Sequence, residues 1–125
     1  MIKGIGTDII EIHRIKKAID RNENFIKNLF TEKEVIYFKN KKNMQESIAG
    51  RFAAKEAISK ALGTGFRRFG FKDIEVLNDK LGKPIVNLYG NALNIAKDLG
   101  EYKIHVSISH SKKDAIAYAL LEVIL

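Results

Sequence analysis

Asp8, Glu56, Lys60 and the two histidines His105 and His110 are the residues of this chain whose types and spacing could do chemistry. Two carboxylates in a sequence without cysteine suit a hard, oxygen-ligated cation such as Mg²⁺, which takes one or two carboxylates and completes its shell with water and substrate phosphate. The sequence permits that pairing without demanding it. A zinc site would prefer more histidines, and the short histidine spacing that such sites use on a helix is absent. If a phosphate group lies nearby, Lys60 acquires a role. A metal would neutralise a pyrophosphate, Glu56 could orient or deprotonate an attacking hydroxyl, and Lys60 could stabilise the charge on the leaving group. Each residue also has a plainer reading. Glu56 and Lys60, four apart, make an ordinary surface ion pair contributing about 0.3 to 0.5 kcal/mol. Asp8 caps a helix. His105 serves as a hydrogen-bonding strand residue, while His110 at a strand end is exposed and free to bind.

The element that must position most of them is the stretch from Arg51 to Gly65. At about 100° per residue, Ala54, Ala57, Ile58, Ala61 and Leu62 form one apolar arc, with Arg51, Lys55 and Ser59 on the opposite side. Glu56 and Lys60 lie along one border, where the small Ala53 and Ala57 leave room for another group to approach. Gly63 and Gly65 stop the helix. Periodicity upstream through Met44, Ile48 and Phe52 extends it to about Gln45–Leu62.

Ahead of it, Ile2 to Asp8 reads as a short strand, which places Asp8 at a junction with a helix from about Ile9 to Ile19. Ile9, Ile12, Ile15 and Ile19 supply that helix's buried stripe. His13, Arg14, Lys17 and Arg21 form a basic face, a docking surface for an acidic partner in so basic a protein. Thr31 with Glu34 makes a capping box, so a helix runs from Glu32 to about Phe38. Lys39, Lys41 and Lys42 form a basic loop. Past the long helix, Gly63 to Phe71 is a glycine-rich loop without the spacing of a Walker phosphate loop. Asp73–Leu77 and Ile85–Leu88 make a hairpin with Pro84 near its edge. A helix ending at Leu99 follows, then the alternating strand Tyr102–His110 and a final apolar strand, Ala115–Leu125, that is central or buried at an interface.

The 125 residues fit one domain, 1–125, with 46% hydrophobic content and no apolar run near the roughly 20 residues of a membrane span. No signal-peptide pattern opens the chain, so a cytoplasmic protein with no membrane partner is expected. Net charge is +7, which favours anionic partners. No arginine tract, zinc knuckle or RNA-recognition signature is present. A basic module binding RNA or DNA is the rival reading from another class, and it leaves Asp8, Glu56 and Lys60 unexplained.

Five blocks together carry a resemblance over nearly the whole chain: Gly4 to Arg14, Phe30 to Glu34, Arg51 to Gly65, Gly82 to Pro84 and His105 to His110. The sequence resembles the holo-acyl-carrier-protein synthases, small 4′-phosphopantetheinyl transferases. Ser111, where threonine is common, is a small departure. The resemblance implies an α+β fold of the 4′-phosphopantetheinyl transferase type, an antiparallel sheet packed against a long central helix, assembled as a homotrimer with sites between subunits. It implies transfer of phosphopantetheine from coenzyme A to a serine of apo acyl carrier protein in fatty acid biosynthesis, releasing adenosine 3′,5′-bisphosphate, with no nucleic acid partner. Asp8 and Glu56 would hold Mg²⁺. Lys60 would bind phosphate and assist the leaving group, and Glu56, directly or through a metal-bound water, would activate the serine. Arg51, Gly63, Pro84, His105 and His110 would line the nucleotide site with Lys60. Arg14, Lys17, Arg21 and Phe25 would receive the carrier's acidic helix. A broader-specificity transferase acting on synthetase carriers is the rival within the enzyme class, and the short chain fits it less well.

Overall fold

The computed structural model describes residues 1–125. In chain order the elements are β1 (Ile2–Glu11), α1 (Ile12–Arg21), α2 (Phe25–Leu29), α3 (Glu32–Lys39), α4 (Met44–Ala61), β2 (Ile74–Asn78), β3 (Pro84–Leu88), α5 (Gly90–Asp98), β4 (Glu101–His110) and β5 (Asp114–Ile124). Short 3₁₀ turns at Gly65–Arg67 and Phe71–Asp73 bridge α4 to β2. The strands form an antiparallel three-stranded sheet in the order β1-β5-β4 and a separate β2-β3 hairpin. This is the α+β arrangement expected from the sequence, with the final strand in the sheet's centre.

Helix α4 lies across the inner face of the sheet. Its Ala53, Ala54, Ala57, Ile58 and Ala61 join Ala117, Ala119 and Leu121 of β5 in one core, which the hairpin and α5 complete with Ile74, Val76, Leu88, Ala92 and Ala96. A second core gathers Ile12, Ile15, Phe30, Phe38, Ile48 and Ala49 beneath α1, α2 and α3. A fully buried isoleucine such as Ile58 contributes about 1.5 to 3 kcal/mol relative to exposure. The alanines contribute less individually, but they let the helix sit close.

That closeness is greatest at β1. A Cβ on Gly6 would fall 1.8 Å from the Ala57 carbonyl oxygen, and one on Gly4 1.8 Å from that of Ala61. No side chain fits in either place.

Two expectations need correction. Strand β1 does not stop at Asp8; Ile9, Ile10 and Glu11 pair on with Ile116, Ala115 and Asp114 of β5, and α1 begins at Ile12. Asp8 is therefore inside a strand and caps nothing, and Ile9 is exposed on the sheet's outer face instead of packing beneath a helix. The second concerns α4, whose far side is not solvent: Arg51, Lys55 and Ser59 are all buried, because α3 and the hairpin cover it. The Thr31 capping box forms as expected, its hydroxyl accepting from the Glu34 N–H at 3.3 Å while Glu34 Oε1 accepts from the Thr31 N–H at 2.9 Å.

Candidate active site

Side chains alternate along a strand, so Gly4, Gly6 and Asp8 share the inner face of β1. The two glycines bring α4 onto the strand, and Asp8, next on that face, meets the helix border carrying Glu56 and Lys60. Lys60 Nζ donates to the Thr7 carbonyl at 2.9 Å and lies 3.7 Å from Asp8 Oδ1. It therefore reaches across to the strand, where helix spacing had suggested Glu56 as its partner. Burial pushes the Asp8 carboxyl up, with Lys60 pulling the other way. Glu56 is pushed up as well, first by burial and then by the negative charge of Asp8. Two half-buried carboxylates repel each other here with one lysine between the elements.

The donor set suits a hard cation. It offers oxygen alone, from two carboxylates, and no third acidic or imidazole side chain joins them in a ligand cluster. A cation held by Asp8 and Glu56 would relieve their repulsion and keep open positions for water and phosphate oxygens. At the helix end Gly63 adopts φ +90, and a side chain there would meet nothing, so the backbone beyond Lys60 is open to a ligand.

The remaining candidates fall into separate places. Arg51 and His110 line a cavity of about 340 Å³ with Tyr37, Lys41, Lys42 and Ser47. Arg51 is only 5% exposed, its guanidinium is stacked 4.1 Å from the Tyr37 ring, and its Nε and Nη2 have no hydrogen-bond partner. Burial lowers its pKa. A buried arginine with free donors among lysines is a ready anion site. Pro84 and His105 line a different cavity, about 440 Å³, with Lys83, Tyr102 and Lys103. His105 Nε2 lies 3.0 Å from Glu122 Oε1, and that contact holds the Glu122 carboxyl below its ordinary range. Neither cavity includes Asp8, Glu56 or Lys60. Within one chain the structure brings together the carboxylates and Lys60, and separately Arg51 with His110, but it leaves Pro84 and His105 apart from both.

Arg14, Lys17 and Arg21 are exposed along α1, as the sequence implied. Phe25 is half-buried and starts a stacked row through Phe52 and Phe71 to Phe66, with centroid separations of 6.4, 5.2 and 3.9 Å. Phe52 stands one helical turn before Glu56. Sequence reasoning missed this row, and it missed Tyr37 beside Arg51; it had Lys41 and Lys42 in a basic loop but did not join that loop to Arg51. The signal for the row was the pair of phenylalanines Phe66 and Phe71 in a stretch read only as a loop.

An α+β chain that holds paired carboxylates and a lysine at a helix–strand seam, and a separate basic cavity around a buried arginine, has the make-up of an enzyme that handles phosphorylated groups. The chain belongs to the 4′-phosphopantetheinyl transferase superfamily, whose model matches residues 4–119. It is 64% identical over 124 residues to a holo-[acyl-carrier-protein] synthase of Clostridium botulinum (strain Alaska E43 / Type E3), covering 99% of this chain and 100% of that one. A crystal structure of a holo-(acyl-carrier-protein) synthase from Bacillus anthracis str. Ames in complex with CoA (3′,5′-ADP) superposes with a TM-score of 0.83 at 46% identity, covering 99% of each chain. The Helicobacter pylori holo-[acyl-carrier-protein] synthase in complex with coenzyme A gives 0.82 at 32% identity over 94% of this chain and 99% of that one.

Proposed function

We propose that this chain, acting as one transferase domain, moves the 4′-phosphopantetheine group of coenzyme A onto a serine of an apo acyl carrier protein. The observation that carries the reading is the convergence of Asp8, Glu56 and Lys60 at the seam of β1 and α4. Its relatives of known structure include synthases bound to coenzyme A or its 3′,5′-ADP part.

In the reaction the serine oxygen forms a bond to the phosphorus bearing pantetheine, and the bond from that phosphorus to the bridging oxygen breaks, releasing adenosine 3′,5′-bisphosphate. Glu56, on the helix border facing Asp8, takes up the proton lost by the serine, directly or through a water. Lys60, half exposed and hydrogen-bonded to the strand backbone, presents its ammonium to the phosphate that leaves. Mg²⁺ held by Asp8 and Glu56 would supply charge neutralisation of the pyrophosphate. Arg51 offers its free guanidinium N–H groups to a phosphate of the nucleotide, with His110 at the mouth of the same cavity.

Pro84 and His105 complete the nucleotide site from a neighbouring copy, in a homotrimer. The reading is supported by their separation from Arg51 in one chain and by the sheet's outer face, where Ile5, Ile9 and Tyr118 stand exposed side by side on paired strands. Arg14, Lys17, Arg21 and Phe25 receive the carrier. A cytoplasmic location accords with this chemistry, and no helix is long and apolar enough to cross a membrane.

The deciding experiment is incubation with coenzyme A, Mg²⁺ and an apo carrier. Mass spectrometry should show the carrier gaining one phosphopantetheine, and an unmodified carrier that a known synthase can load would refute the proposal.

A further inference from the structure

One charged pair is used by none of the chemistry above. Lys55 and Glu34 are both 0% exposed, with Nζ 2.8 Å from Oε1. All three ammonium N–H groups are engaged: on Glu34, on the Phe71 carbonyl at 2.9 Å and on the Ile74 carbonyl at 2.5 Å. Glu34 is equally occupied, since Oε1 also accepts from the Thr31 N–H and Oε2 accepts from the Val76 N–H, each at 2.9 Å. The Thr31 hydroxyl then donates to Glu75 Oε2 at 2.6 Å, and Glu75 Oε1 accepts from Asn87 and from the Tyr89 hydroxyl at 3.1 Å each. Helix α3, helix α4, the Phe71–Asp73 turn and the β2-β3 hairpin thus meet at one buried point.

Stability alone does not account for such a pair. Desolvating two charges costs about as much as their attraction returns, and apolar side chains of the same volume usually do as well. What apolar packing lacks is direction. On the sheet side α4 meets Gly4 and Gly6 of β1 and the row of Ala117, Ala119 and Leu121 on β5, a close and mostly small-residue contact that sets the distance between helix and sheet, while the buried pair adds directed bonds on the opposite side. Lys55 immediately precedes Glu56, about 100° round the helix. A rotation of about 20° would carry a side-chain tip about 2 Å at the helix's outer radius. Misplacements of that size are enough to cost a reaction about a hundredfold.

We propose that Glu34 and Lys55 are positioning residues for the transfer reaction: their buried pair fixes the rotation of α4 about its axis and so holds Glu56 and Lys60 against Asp8. The proposal rests on the reading of those three residues as the transfer site.

The test replaces the pair by apolar side chains of similar length, Glu34→Met with Lys55→Met, and measures three things: thermal melting, kcat and KM for coenzyme A, and Mn²⁺ binding to the substrate-free protein by electron paramagnetic resonance. The double variant is expected to fold, keep its KM for coenzyme A, lose about tenfold in kcat and bind Mn²⁺ about tenfold more weakly. Thr31→Val, which cuts the hydroxyl joining Glu34 to Glu75, is the milder second variant. It should lose about threefold in kcat and in Mn²⁺ affinity with KM for coenzyme A unchanged. A folded double variant with wild-type kcat and Mn²⁺ affinity overturns the proposal. If the double variant does not fold, a Thr31→Val protein that loses only melting temperature overturns it instead. Wild-type protein that neither binds Mn²⁺ nor transfers would overturn the site assignment itself, a separate failure.

Discussion

At the scale of single residues, the Asp8 and Glu56 carboxyls repel each other, and both are raised in the folded chain. A carboxyl with a raised folded pKa favours folding while it is protonated. Its contribution is full below the ordinary carboxylate range and is lost as pH rises through the folded value. Glu56→Gln deletes one of the two charges, so in chelator its melting temperature should gain on the wild type as pH rises above the ordinary carboxylate range. Added Mg²⁺ should shrink that gain. The same variant should lose at least about a hundredfold in turnover with its fold intact, measured by carrier loading and circular dichroism. A folded Glu56→Gln enzyme of wild-type rate would remove Glu56 from the mechanism. The types of Asp8, Glu56 and Lys60 were legible in the sequence, because two carboxylates and a lysine without thiols narrow the chemistry by themselves. The pairing of Lys60 was not legible. Helix spacing offered Glu56 as its partner, and the actual partners, Thr7 and Asp8, stand more than fifty positions away on a strand.

Among the elements, the decisive contact is the seat of α4 on β1. Gly6→Ala would place a methyl group on the Ala57 carbonyl, which backbone cannot yield without the helix lifting from the strand. Overpacking of this kind costs about 1 to 3 kcal/mol. Urea unfolding should show at least that loss, and turnover should fall with it because Glu56 leaves Asp8. An alanine variant of wild-type stability would show that the helix can shift freely. Element boundaries were legible wherever a local signal marked them: the Thr31 capping box began α3, and Gly63 closed α4. The boundary of β1 was not, since Ile9-Ile10-Glu11-Ile12 fits a helix stripe as well as a strand. Only its pairing with Asp114 to Ile116 decides the matter. The burial of Lys55 was hidden for a similar reason. Nothing near it in the sequence announces Glu34.

For the whole molecule, the basic face of α1 and the outer face of the sheet call for different partners. Replacing Arg14 and Arg21 with alanine should raise KM for the carrier far more than KM for coenzyme A, and added salt should weaken the carrier's binding to the wild type. Equal effects on both substrates would contradict docking at α1. Tyr118→Asp, in the middle of the outer face, should convert the proposed trimer to monomers by light scattering and remove activity with it; an active trimer would place the interface elsewhere, and a monomeric wild type would refute the trimer itself. The apolar run of β5 was legible as a strand needing cover. Its division into an inner row of alanines and an outer row of Ile116, Tyr118 and Leu120 required the sheet. The seat of α4 also bears on how this enzyme would look in a saturation screen. Gly4 and Gly6 should tolerate no replacement, matching Asp8 and Glu56 in intolerance although neither glycine has a side chain to touch substrate. Sorting those four positions would take a second assay, one that counts folded protein separately from loaded carrier.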